Sequence, residues 1–247
     1  MLLPIARLVL ARGRGAEMAE DRLHRLLAQL SDGEGRWSAA RLCTVCLPIV
    51  GVTGAGIMLM SGDMPRGSLN TTDEVSQLIE DLQYTLGEGP CVDAHEQGRV
   101  VTEPDLAAPV TRRWLAFAPP VLQAGARALF GFPLRIGTVR LGALDLYRDR
   151  PGPLSDEQHA AALALASIVS RWVLEAEAGA PSDTVPSELE VGANFHFMVH
   201  NAAGMISVQQ GISVTDALIR LRAYAFSHDR LLSDVAQDIV DRKLRLD

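Results

Sequence analysis

Little in this sequence is aromatic: Phe, Trp and Tyr together make up 5% of 247 residues. The 48% apolar fraction must therefore build its core from Leu, Val, Ile and Ala. Lysine occurs once, at Lys243, so positive charge is carried almost entirely by arginine. Basic residues number 23 against 30 acidic, a net charge of −7. That excludes a polyanion binder working by bulk positive charge, but leaves room for a small, shape-selective nucleic-acid site. Cysteine is sparse and odd in number, at Cys43, Cys46 and Cys91. With no secretion signal, this points to a reducing, cytoplasmic setting and away from a disulfide framework. No apolar run approaches the ~20 residues that cross a bilayer, so no membrane association is expected. Met1–Leu10 is apolar but short, is interrupted by Arg7 and lacks a small-residue cleavage pattern. Residues 1–17 read as a disordered tail ahead of Met18.

Periodicity divides the rest. Leu23, Leu26, Leu27 and Leu30 mark an amphipathic helix over Glu17–Leu30, and a second helical stretch runs from Trp37 to Val50. Ala55–Met60 reads as a buried strand, Gly62–Gly67 as a turn and Ser68–Thr71 as the return strand. Asp73 suits the N-cap of a helix through Leu86. After the loop Leu86–Cys91 come a short helix at Cys91–Gln97 and a strand at Arg99–Thr102. Trp114–Gly125 reads as a helix that Pro119 and Pro120 must kink or interrupt. The clearest β signal follows: Ala128–Ile136 and Val139–Arg148 flank Gly137 and Thr138 as a hairpin. Ser155 then caps a long helix to about Ala178.

The stretch from Gly179 carries two Pro and two Ser and marks a linker over 179–189. It separates a domain with flanking helices at 18–178 from a three-helix unit at 190–247. Those three helices are Phe195–Gln210, Val214–Ser227 with Ser213 and Asp216 as a capping-box variant, and about Leu231–Leu244. The fold class is mixed α and β (α/β in composition, α+β in layout), followed by a small all-α domain.

No Gly-rich phosphate loop, HExxH or Ser/His/Asp signature is present, so nothing in the motifs argues for an enzyme. The Cys43-x-x-Cys46 pair falls inside a helix and reads as two small apolar fillers rather than a redox or zinc motif. Cys91 follows a Gly-Glu-Gly-Pro loop at a helix start, a setting that can favour a thiolate, with His95 one turn on. The plainer reading is a structural thiol beside a pocket. Near the C-terminus, Arg220, Arg222, His228 and Arg230 fall within eleven residues, and Arg242, Lys243 and Arg245 form a second cluster. Residues 190–247 nevertheless hold six Arg/Lys against seven Asp/Glu, so these clusters also fit a solvated helix face. Tyr224 and Phe226 lie among the first cluster, placed either to stack unpaired bases or to seal a small core.

The C-terminal residues carry a family likeness. His200-Asn201-Ala202-Ala203-Gly204-Met205-Ile206, Asp216-Ala217-Leu218, Leu221-Arg222-Ala223-Tyr224-Ala225, Arg230-Leu231-Leu232 and Val235-Ala236 together resemble an ANTAR domain over about 192–246. That domain is the RNA-binding output module of transcription antitermination regulators. More loosely, Gly54-Ala55-Gly56-Ile57, Leu86–Cys91 and Leu141–Tyr147 resemble a GAF sensory domain over roughly 37–176. The pairing is similar to that of actinobacterial antitermination regulators. The resemblance implies an antiparallel sheet flanked by helices, and a homodimer formed through the helices at its two ends. It further implies binding of paired stem-loops in a leader transcript, which keeps a terminator from forming. Arg220, Arg222, Tyr224, His228, Arg230 and Lys243 are the candidate RNA-contacting residues. Ala203 departs from the lysine that many such domains carry, which removes about one phosphate contact. The GAF resemblance implies a small-molecule ligand without identifying it or any cofactor, and Tyr84, Cys91, Asp93, Trp114 and Asp145 are the candidate lining residues. Two alternatives are a regulator acting through protein contacts alone and a thiol-dependent reductase of the GAF type. A DNA-binding reading is disfavoured because Asp234, Asp238 and Asp241 would face the groove.

Overall fold

The computed structural model describes residues 38–61, 64–108, 113–179, 193–228 and 230–246. The expected helix at 17–30, the tail and most of the linker lie outside these residues. Ser38 caps the first helix, α1 (Ala39–Cys46), by accepting from the Arg41 N–H, and the chain then widens into a π-turn over Leu47–Gly51. Five strands follow: β1 (Gly54–Ser61), β2 (Met64–Thr71), β3 (Val101–Glu103), β4 (Ala128–Ile136) and β5 (Val139–Arg148). They form one antiparallel sheet in the order β2-β1-β5-β4-β3. Between β2 and β3 lie α2 (Glu74–Leu86) and α3 (Pro90–Gln97), and between β3 and β4 lies α4 (Ala118–Gln123). The long α5 (Asp156–Gly179) follows β5, with Ser155 accepting from the Gln158 N–H at its start.

Period-two alternation sorts the sheet's side chains into two cores. Ile57, Phe130, Phe132, Leu144 and Leu146 face α1 and α5, among Leu42, Cys43, Cys46, Val169 and Val173. Met58, Leu129, Ala143 and Tyr147 face α2, α3 and α4, among Ile79, Tyr84, Cys91 and Phe117. Each fully buried large apolar side chain contributes about 1.5–3 kcal/mol. Cys43 and Cys46 are both fully buried, and burial pushes both thiols up, Cys46 to about 12. They act as the expected apolar fillers, and the sheet separates them from Cys91.

The structure corrects several boundaries. The return strand begins at Met64 rather than Ser68, because two register shifts in the β1–β2 pair absorb the residues that read as a turn. The third strand sits at Val101–Glu103, later than Arg99–Thr102. No helix starts at Trp114, whose φ of 56° is left-handed. The helix begins at Ala118 instead, and the adjoining prolines occupy its first turn, where their missing N–H groups cost nothing.

The C-terminal unit comprises α6 (Ala193–Gln210), α7 (Val214–Ser227) and α8 (Leu232–Val240). Val199, Ala202, Ala203 and Ile206 of α6 are buried, as are Leu221 and Ala225 of α7 and Val235, Ala236 and Ile239 of α8. Ser213 Oγ accepts from the Asp216 N–H, as the capping signature requires. The last helix ends at Val240 instead of reaching Leu244, and Arg242 takes a left-handed φ of 60°. α7 packs against α2 and α6 against β2, so the bundle's core is continuous with the α2–α3–α4 side of the sheet. Among the described residues, no helix is long and apolar enough to cross a membrane.

Candidate functional site beneath the second and third helices

The site is built on Asp145, in the central strand of the sheet. Its cross-strand neighbours are both glycine: Gly56 on β1 and Gly131 on β4. The missing side chains let helices descend onto the sheet. A Cβ on Gly56 would lie 2.2 Å from Glu80 Oε1, and one on Gly131 would lie 2.3 Å from the Pro90 carbonyl oxygen. Glu80 of α2 and Cys91 at the start of α3 thereby approach Asp145, and one donor atom from each of the three lies within 4.8 Å of the other two.

Local sequence explains the approach. Asp73 and Ser76 form a reciprocal capping box that starts α2, and Asp73 Oδ1 also accepts from the Tyr147 hydroxyl at 3.1 Å. α2 then turns Ser76, Ile79, Glu80, Gln83 and Tyr84 inward. Gly87 ends the helix in the left-handed region with φ 66°. Gly89, at φ 136°, brings the chain against Gln83, where a side chain at this position would collide. Gln83 Oε1 accepts from the Cys91 N–H at 2.7 Å, and its amide Nε2 donates to Asp145 Oδ2. One glutamine thus ties the start of α3 to the central strand.

Electrostatics here are unusual. Glu80 is 1% exposed, and neither of its carboxylate oxygens has a hydrogen-bond partner among the described residues. Burial, reinforced by Asp145 and Asp81, holds its pKa well above the ordinary carboxylate range. Asp145 is also raised by burial, opposed by its interactions with Cys91 and Gln83. Burial and the two neighbouring carboxylates push the Cys91 thiol up. The helix-start position of Cys91 therefore does not produce the thiolate-favouring setting read from the sequence, because desolvation and negative neighbours outweigh the helix dipole.

The five candidate lining residues fall into three places. Cys91 and Asp145 belong to the cluster just described. Asp93, on the outward side of α3, pairs with Arg113 and accepts from Trp114 Nε1 at 3.2 Å, while the Arg113 guanidinium lies 4.6 Å from the Trp114 ring centroid. Tyr84 lies under the C-terminal bundle, where the half-buried Arg222 guanidinium of α7 sits 5.1 Å from its ring centroid. A small cavity beside the cluster is lined by Ala55, Gly56, Ser76, Ile79, Leu129, Asp145, Leu146 and Tyr147. Of the five, Asp145 borders it. Glu80 and Gln83 were not singled out in the sequence, where the available signal was two polar residues on the apolar face of a helix.

The candidate RNA residues lie on α7 and in the segments that follow α7 and α8. Arg220 donates to Gln210 Oε1, Arg230 pairs with Asp238 at 2.6 Å and Lys243 with Asp241 at 2.9 Å. Two of the three aspartates read as opposing a groove are thus engaged by cations. The Tyr224 and His228 rings stack at 3.9 Å with an interplanar angle of 17°. Phe226 is 62% exposed, so it does not seal the core. Ala203 is fully buried, so a lysine at this position would have no place in this arrangement.

Comparison with known proteins identifies the first domain. Residues 38–173 match the GAF domain family. The chain belongs to that family, which accounts for more than half its length. No curated protein matches the sequence. Among solved structures, the chain is similar to the GAF domain of a phosphoenolpyruvate-protein phosphotransferase from Acinetobacter, at 15% identity and TM-score 0.48, covering 65% of this chain and 96% of that one. The corresponding domain from Coxiella burnetii shows 13% identity and TM-score 0.49, over 66% and 96%. A free methionine-R-sulfoxide reductase from Neisseria meningitidis, solved with its substrate, shows 16% identity and TM-score 0.42, over 66% and 92%. The GAF assignment supports a signal-responsive role.

Proposed function

We propose that the chain is a cytoplasmic, signal-responsive regulator whose C-terminal bundle is an ANTAR-like module that binds RNA stem-loops in leader transcripts and prevents termination. The GAF domain controls that output. The observation that carries the coupling is the Arg222–Tyr84 contact, which joins a candidate RNA-contacting arginine on α7 to the helix that also supplies Glu80 and Gln83. A ligand that shifts α2 thereby changes how Arg222 is presented. Exposed Phe226 and the stacked Tyr224–His228 pair offer flat surfaces to unpaired bases. Arg220, Arg230 and Lys243 supply exchangeable cations for phosphates. In this reading two copies associate through the helices flanking the sheet, with Leu163 and Leu174 of α5 exposed for that contact.

The test is sequencing of RNA crosslinked to the full chain in its native cell, alongside Arg222→Glu and Lys243→Glu. Paired hairpins from leader transcripts should be enriched with the unaltered chain and depleted with both variants. Enrichment no greater than background for the unaltered chain overturns the RNA reading and leaves a regulator acting through protein contacts.

A further inference from the structure

We propose that Glu80, Cys91 and Asp145 form a binding site for one borderline divalent cation, with zinc as the probe. The site lies beneath α2 and α3, and the proposal is independent of whether the bundle binds RNA. Three observations converge on it. The donor set is two carboxylates and a thiol, all buried and mutually within 4.8 Å. Both Glu80 carboxylate oxygens are buried with no hydrogen-bond partner among the described residues, and one of them lies within 4.8 Å of the Cys91 and Asp145 donor atoms. Among the described residues, none of the three takes part in an ion pair with Arg or Lys.

Buried acidic groups need either a proton or a counter-ion, and three of them around one point suit a dication. Zinc–ligand bonds of about 2.0–2.3 Å place tetrahedral ligands roughly 3.3–3.8 Å apart, inside the 4.8 Å that bounds the three donor atoms. The thiolate selects a borderline ion over magnesium or calcium, which prefer oxygen alone. Gln83 holds Asp145 and the Cys91 backbone in place, which is the usual work of an outer-shell partner. Three protein ligands leave a fourth position, and Asp145 and Gly56 border the small cavity beside the cluster, where one water can complete the coordination. Binding displaces the thiol proton, because the thiolate is the form that ligates a metal.

The full chain, stripped with a chelator and dialysed, is titrated with zinc and then with cobalt(II). One equivalent of zinc should be retained. Cobalt should give a near-ultraviolet thiolate charge-transfer band that persists in Cys43→Ser/Cys46→Ser and disappears in Cys91→Ser. Glu80→Gln should weaken zinc binding by at least the ~10–100-fold that losing an outer-shell partner costs. The unaltered protein is itself decisive: failure of the folded chain to retain zinc or to show the cobalt band overturns the proposal. A band that vanishes in Cys43→Ser/Cys46→Ser and survives Cys91→Ser overturns it equally.

Discussion

At Glu80 a carboxyl sits where the helix period calls for an apolar residue, and that placement has a measurable consequence. Burial keeps Glu80 and Asp145 protonated above the ordinary carboxylate range. The folded chain therefore holds protons that the unfolded chain has already released, and the unfolded chain binds fewer. The contribution of these two groups to stability is full on the acid side of the carboxylate range and is lost as pH rises through the two raised values. In metal-free protein, Glu80→Gln should flatten the fall in urea-unfolding free energy as pH rises above the ordinary carboxylate range, leaving Asp145 to supply what slope persists. An unchanged slope would show that Glu80 ionises as it does in water. The neighbouring Asp93 has a different surrounding, since Arg113 and Trp114 satisfy it at the surface. Two acidic side chains from one stretch of chain thus meet opposite environments.

At the level of elements, α3 reaches the sheet only because Gly131 has no side chain. Its Cβ would meet backbone at the start of α3, an atom that cannot swing aside. Gly131→Ala should therefore cost about 1–3 kcal/mol, as overpacking typically does, read as a lower urea midpoint with an unchanged slope. A neutral outcome would mean that α3 moves freely over β4. The elements themselves were largely legible in sequence. The β4–β5 hairpin, α7 and the capped α2 lie where alternation, helix period and cap residues placed them. Such signals are local, since each depends on residues within one or two turns. The misplaced starts of β2 and α4 arose from a bulged register and a left-handed Trp114, neither of which leaves a periodic trace.

At the scale of the whole molecule, the bundle and the sensory domain meet through Arg222 and Tyr84. Burial lowers the Arg222 pKa while Tyr84 opposes the shift, and Tyr84 is pushed up to about 12 mainly by burial. If this contact couples the domains, Arg222→Ala should speed amide hydrogen exchange across α7 and the C-terminal half of α2. The β4–β5 hairpin should be unaffected. Faster exchange confined to α7 would indicate a bundle that loosens alone, without transmission to the sensory domain.

Taken alone, the sequence determined most of the described elements and the apolar fillers Cys43 and Cys46, because periodicity, capping and composition act over short stretches of chain. It also pointed to Cys91 and Asp145. Tertiary structure alone decided that Glu80 and Gln83 join them and that Arg222 rests on Tyr84. Those partners lie from 8 to more than a hundred residues apart in sequence. They are brought together by strand register, by glycines that admit a helix to the sheet and by packing of the bundle, and no local pattern encodes such contacts.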